Sequence, residues 1–246
     1  MDQHIHSRLL LIRSTDRESL ATQSTTDFTI DFGNTLSRNI KKIAIKNISI
    51  PNVFYNINRY NNILIVNGVP YTIPLGQYSI TQLITELQTL LVALTFTAVP
   101  DPITYKLNVT TAAPATYSSF INGSTIARVV GLNVTNNLIT AAGSFPNVYN
   151  LSGPKYIFIN SEVMSANTNL ITKTGTLPIT SPILVNAPYG ENITYENTEQ
   201  NFDSIDFDIS QSMRTISIKI TDENNNILDL NGNNFVAVFK IYATHY

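Results

Sequence analysis

Asp27-Phe28-Thr29-Ile30-Asp31-Phe32 and, a little further on, Ile40-Lys41-Lys42-Ile43-Ala44-Ile45-Lys46-Asn47-Ile48-Ser49-Ile50-Pro51 decide the fold class. The first stretch alternates apolar and polar residues with period two, so Phe28, Ile30 and Phe32 share one face of a half-buried strand. In the second, Ile43 and Ile45 share one face while Ile48 and Ile50 lie on the other parity. A period-two strand can bury both pairs only if it carries an extra residue, which predicts a bulge near Lys46-Asn47. Pro51 ends the strand.

The same alternation returns near the C-terminus. Residues 204–209 put Ile205, Phe207 and Ile209 inward, residues 215–221 put Ile216, Ile218 and Ile220 inward, and residues 235–242 make a further strand. Shorter strands are predicted over 156–160, 183–186 and 193–195. Between these ends the pattern changes. Residues 63–66 and 69–73 flank Asn67-Gly68, a dipeptide that tolerates positive φ at both positions and reads as a two-residue hairpin turn. Pro70 places its strand at a sheet edge. Ile80, Leu83, Ile84, Leu87, Leu90, Leu91 and Leu94 recur at helical spacing behind Ser79 or Thr81, either of which can cap. Residues 96–99 and 103–109 read as another hairpin around Pro100-Asp101-Pro102. Residues 124–130 read as a short helix ended by Gly131. Residues 111–156 read mainly as long loops, with a short strand over 138–140.

The resulting expectation is a mainly all-β chain: a single jelly-roll β-sandwich from residues 1–59 and 133–246, with residues 60–132 as an inserted α+β subdomain of hairpin, helix and hairpin. A chain of 246 residues buries roughly 70–75% of its unfolded surface and needs no staples. It has no cysteine, which excludes disulfides and thiolate metal sites. The N-terminal apolar run Leu9–Ile12 is too short for a signal peptide, and no run approaches the ~20 residues of a membrane helix. The Asn-x-Ser/Thr sequons read as products of an Asn-rich composition.

Charged residues make up 13% of the chain and net charge is -2. That is about half the ~25% of an ordinary soluble domain. Asn, Thr and Ser stand in for the missing charge, a balance that fits either a large protein–protein contact surface or a low-charge compositional bias. It argues against a nucleic-acid-binding face. Catalysis is not expected. The histidines, His4, His6 and His245, all lie at the termini, where no rigid Ser–His–Asp site can be built. Asp222-Glu223-Asn224-Asn225-Asn226 starts like a calcium loop but has Ile227 and Asn233 where that loop needs Gly and Glu, so it reads as a polar hairpin turn. Gly153-Pro154-Lys155 lacks the rest of a phosphate loop. Arg38, Lys41, Lys42 and Lys46 form a small basic cluster that reads as a solvated rim. No metal and no cofactor is expected.

Four stretches together resemble the penton (minor capsid) proteins of virophages, Polinton-like viruses and adintoviruses. They are Ile50-Pro51-Asn52-Val53-Phe54-Tyr55-Asn56-Ile57 after the first strands; Ile73-Pro74-Leu75-Gly76-Gln77-Tyr78-Ser79 before the helix; Ala127-Arg128-Val129-Val130-Gly131-Leu132; and the ending from Ile216 through Asp222, Leu228-Asp229-Leu230-Asn231-Gly232 and Phe235. Val129-Val130 and Leu132 depart from the leucine and aromatic usual there. The resemblance implies a non-enzymatic structural protein of an icosahedral DNA virus. It implies five copies in a ring at the capsid vertex, with neighbouring major-capsid capsomers and a fibre or receptor as further partners. It places the protein in the virion, made in host cytoplasm or a virus factory. Phe54, Tyr55 and Tyr60 are expected at an inter-subunit contact or, equally, folded back onto the core. A receptor- or glycan-binding spike sandwich and a cement protein between capsomers are the alternatives.

Overall fold

A computed structural model describes residues 5–19, 22–33, 37–112, 114–118, 124–133, 137–161, 169–172, 175–178, 181–198 and 204–244, with 5, 37–38, 118, 169–172, 175–178, 181, 204–212 and 244 described by backbone alone. The chain divides into two compact units: Met1–Phe54 with Pro154–Tyr246, and Tyr55–Gly153. The division differs in its bounds from the 60–132 read from the sequence. Residues 137–139 and 142–144 pair with strands of the second unit, and those short pairings were too brief to show as a period in the sequence.

The first unit contains β1 (Ile5–Arg13), β2 (Asp27–Asp31) and β3 (Ser37–Pro51). The second contains β4 (Ile63–Val66), β5 (Val69–Thr72), helix α1 (Ile80–Leu90), β6 (Thr97–Pro100), β7 (Leu107–Thr110), β8 (Ala115–Ser118), helix α2 (Ala127–Val130), β9 (Asn137–Ile139) and β10 (Ala142–Ser144). The first unit resumes with β11 (Tyr156–Asn160), β12 (Asn169–Thr172), β13 (Gly175–Pro178), β14 (Ser181–Leu184), β15 (Asn192–Glu196), β16 (Ser204–Met213), β17 (Thr215–Thr221) and β18 (Val236–Thr244).

The first unit is a sandwich. One sheet runs β1-β18-β3-β15, with β16 also on β3, and the other runs β14-β11-β17-β2. Every pairing in them is antiparallel. Successive strands change sheet at β1, β2, β3 and β11, and again at β14 to β15, β16 to β17 and β17 to β18, the traffic of a jelly roll. The two inner faces meet in one core: Leu10, Ile12, the isoleucines of β3 and Phe239 from one sheet, with Phe28, Ile30, Ile157, Ile159, Ile216, Ile218 and Ile220 from the other. Each such side chain contributes roughly 1.5–3 kcal/mol on leaving water. The facing of Ile205, Phe207 and Ile209 lies outside the described side chains.

The bulge expected near Lys46 is present. Ile45 pairs with Phe239 and Asn47 with Val238, so Lys46 is the extra residue. A second irregularity follows the same logic: Lys42 pairs with Tyr242 and Ile40 with Ala243, which makes Lys41 extra as well. The parity of Ile40 already contained it.

The second unit has its own core, drawn from a four-stranded sheet β5-β4-β8-β9, a three-stranded sheet β10-β7-β6 and the two helices. Asn67 and Gly68 both take positive φ (51 and 80°), as the hairpin turn requires, and β5 with its Pro70 is the edge strand. Ser79 caps α1: its hydroxyl accepts from the Gln82 amide while the Gln82 side chain accepts from the Ser79 amide. Leu83, Ile84, Leu87 and Leu91 are buried beneath it. Residues 103–106 do not extend the second hairpin. The Asp101 carboxylate accepts from the Ile103 and Thr104 amides and closes a longer turn there, which also lowers its pKa. The loops expected over 111–156 are interrupted by β8 and β10 as well as by β9, the short strand expected over 138–140. Gly131 ends α2 at φ 89°, and a Cβ there would meet the Asn147 carbonyl oxygen at 2.3 Å.

Candidate functional site

The four stretches that carry the resemblance prove to be joints of the fold. Asn52 ties the end of β3 to residues 187–191: its amide donates to Glu191 O, its side chain to Ala187 O, and its carbonyl accepts from Gly190 N. Asn231 adds a 2.6 Å bond from its side chain to Val53 O. In the second unit, Ile57 and Gly76 exchange both backbone hydrogen bonds. The buried Asn56 side chain accepts from Tyr78 N and donates to Tyr78 O and Leu151 O. Leu228, Leu230 and Phe235 are core residues around the Asn231-Gly232 turn. Such positions specify a shape, so they carry information about fold before function.

Of the three side chains expected at a contact, the structure buries Phe54. It is 4% exposed and packs in the sandwich core, because the chain after Pro51 turns inward where Asn52 and Asn231 hold it. It has no surface to offer a neighbour. Tyr55 is half-buried. Tyr60 is exposed, and the Arg59 guanidinium lies 4.9 Å from its ring centre. Both stand on a loop built by asparagines: Asn58 N donates to Asn61 Oδ1, Tyr60 N to Asn58 Oδ1, and Asn61 Nδ2 to Asn56 O. Much of the Asn richness is spent this way, on amide side chains that replace backbone partners in turns.

The chemical candidates resolve similarly. The Asp222 carboxylate accepts from Asn224 N, Asn226 N and Asn226 Nδ2, closing the polar turn. Among the described residues no group of three His, Cys, Asp or Glu is placed to hold a metal. His4 and His245 lie outside the described residues, and His6 is on β1. Lys46 donates to Asn197 O at 3.0 Å and stands 3.8 Å from Glu196. Lys42 and Lys240 both lie near the Tyr242 ring. The side chain of Arg38 lies outside the described residues. Asp31 and Arg214 form a bidentate pair at 2.8 and 3.0 Å, which holds the Asp31 carboxyl below its ordinary pKa and raises that of Arg214.

What the sequence reading missed is the outer surface of the sandwich. Leu10 and Ile12 face the core, so Leu9 (68% exposed) and Leu11 face out, beside Val236 and Val238 of β18. On the other sheet Tyr156 pairs with Leu184 (54% exposed) on the outer face of β11 and β14. The signal was legible in Leu9-Leu10-Leu11-Ile12: four consecutive apolar residues in a strand put two on each face, so an apolar outer face follows. The second unit carries exposed apolar side chains of its own, among them Val92, Val99 and Ile103.

No family model matches the chain, and no curated protein does. Solved structures do, two of them as follows. The mavirus penton protein superposes with a TM-score of 0.53 at 9% identity, over 98% of this chain and 100% of that one. A chain of the Sputnik virophage, determined by cryo-EM, gives a TM-score of 0.50 at 12% identity, over 98% of each chain. The chain has the fold of these proteins along its whole length, and the resemblance read from its sequence is to the same group.

Proposed function

We propose that the chain is a structural protein of a virus capsid, forming a five-membered ring at the vertices of an icosahedral shell. The observation that carries this reading is the fold shared with the mavirus penton protein from end to end, sandwich and second unit together. The molecule's own physics supports it. A ring is a head-to-tail contact repeated until it closes, and it asks each copy for two different lateral surfaces. The two sheets of the sandwich carry unlike exposed side chains, Leu9 and Leu11 on one and Tyr156 and Leu184 on the other. The low charge content fits a large protein–protein contact surface. In this reading neighbouring capsomers are further partners, and Tyr55 and Tyr60 are contact residues to be tested.

Native mass measured over a concentration series tests the ring. A closed pentamer is the expected result. A stable trimer, or a monomer at every concentration, overturns it.

A further inference from the structure

We propose that the copies of the ring are linked by exchange of β1: residues 5–13 of one copy leave their own sandwich and pair with β18 of the next. This rests on the ring reading above and names the link between neighbours.

The slot beside β18 already fits that strand. β1 pairs with β18 from Ile5 with Thr244 to Arg13 with Val236. Ser14 continues the ladder: its amide donates to Phe235 O, and its hydroxyl accepts from Phe235 N and donates to Asn234 Oδ1. Leu10 and Ile12 are the core side chains that β1 brings. The same residues of a second copy remake each of these contacts, so an exchanged strand loses none of them.

β1 is also separable. It is the edge of its sheet, and among the described residues β18 is its one strand partner, so the other pairings of the sandwich persist when it leaves. Its tether is short and unattached. Thr15 Oγ1 donates to Asp16 Oδ1 and Arg17 Nη1 to Ser14 O. Among the described residues, no hydrogen bond runs from Thr15, Asp16 or Arg17 to a residue outside 14–17. From Glu18 onward the chain is bound to its own sandwich: Glu18 N donates to Thr29 O, and the Thr26 hydroxyl donates to Leu228 O. The hinge is therefore Thr15 to Arg17, folded in its closed form into a single 3-10 turn over Ser14–Asp16.

The closed hinge is penalised. Arg17 Nε is buried there with no hydrogen-bond partner. A buried donor without an acceptor gives up its hydration without replacement, and on a charged group the loss is greater. Straightening the hinge returns Arg17 to water, so the extended form is free of a penalty that the folded-back form bears. Short hinges under such strain favour exchange over self-closure. Fully extended, the chain from Ser14 to Glu18 spans roughly 13–14 Å, which restricts the acceptor to a copy in direct contact. A strand given on one side and received on the other is a head-to-tail link, the kind that closes into a ring.

Ser14 and Phe235 form a hydrogen-bonded pair, so Leu9 and Lys240, of the opposite parity in the same register, form a non-hydrogen-bonded one. The Cα atoms of such a pair lie about 4.5 Å apart, within reach of a disulfide. The chain has no cysteine, so introduced thiols are the only ones present. The full chain is oxidised at a concentration where native mass reads a ring and run on a denaturing, non-reducing gel. Leu9→Cys with Lys240→Cys in one chain is expected to give a ladder of bands up to five copies. Leu9→Cys chains assembled together with Lys240→Cys chains are expected to give two-copy bands that neither variant gives alone. If both samples stay at single-chain mass while native mass reads a ring, β1 remains with its own copy; the exchange is overturned and the ring reading stands. A chain monomeric throughout removes both.

Discussion

Lys46 lets one strand bury isoleucines of both parities. With Lys41 it absorbs the extra residues that bring Ile40, Ile43, Ile45, Ile48 and Ile50 to the same core, all at 3% exposure or less. Deleting Lys46 would turn one side of β3 over and expose two of them, at roughly 1.5–3 kcal/mol each. The expected outcome is loss of a cooperative thermal transition. Lys46→Ala removes a half-exposed side chain, its hydrogen bond to Asn197 O and an ion pair to Glu196, and is expected to melt within about 1 kcal/mol of the parent. Tyr117 gives the opposite case. Its ring is fully buried edge-on to Phe96 and Phe145, yet among the described residues its hydroxyl has no hydrogen-bond partner. Tyr117→Phe keeps the ring and removes the orphan, so denaturant melts should show a gain of about 1 kcal/mol. Burial also raises the pKa of this phenol above its ordinary value. Its contribution is complete below the ordinary phenol pKa and shrinks as pH rises past it, because only the unfolded chain then releases the proton. Tyr117→Phe should flatten that alkaline slope, and an unchanged slope would show that the phenol is not held protonated by folding.

The elements that could be read from sequence are those whose causes are local. Asn67-Gly68, the Ser79 cap and the leucine spacing of α1 each act within a few residues, and each forms as expected. Ser79→Ala is expected to cost about 1 kcal/mol, read from the midpoint of a urea melt, with little change in its slope. The bulge in β3 was legible too, because parity is a local property. The elements that escaped depend on distant partners. β10 is three residues long and exists because β7 lies beside it, whereas β9, equally short, was expected one residue further on. β1 was read only as a failed signal peptide, and its partner is at the other end of the chain. Phe54 was left open between a contact and the core, and its burial follows from Asn52 and Asn231, of which the second is far off in sequence. The exposed pair Tyr156 and Leu184 shares that character, since the two come side by side only once β11 and β14 pair.

At the scale of the molecule there are two cores with no shared member. The second unit enters at Tyr55 and leaves at Gly153, and its two ends are held together by the Asn56 side chain bonded to Leu151 O at 3.2 Å. A chain segment that buries its own core and returns to its starting point meets the conditions for folding alone. Residues 55–153 expressed by themselves are therefore expected to give a single cooperative thermal transition and native-like circular dichroism. A featureless melt would mean that the unit borrows its stability from the sandwich.

The pairing of β1 with β18, from Ile5 with Thr244 to Arg13 with Val236, also sets a clock on the birth of the protein. Translation supplies about 5–20 residues per second, so the first strand leaves the ribosome ~10–50 s before its sheet neighbour β18 exists. The sandwich cannot close until β18 has been made, whereas residues 55–153 are complete well before that. For that interval Leu9-Leu10-Leu11-Ile12 travels unpaired, a short greasy segment flanked by Arg8 and Arg13. Those two arginines sit where gatekeeper charges sit beside unavoidable hydrophobic strands. They guard the nascent chain during the wait.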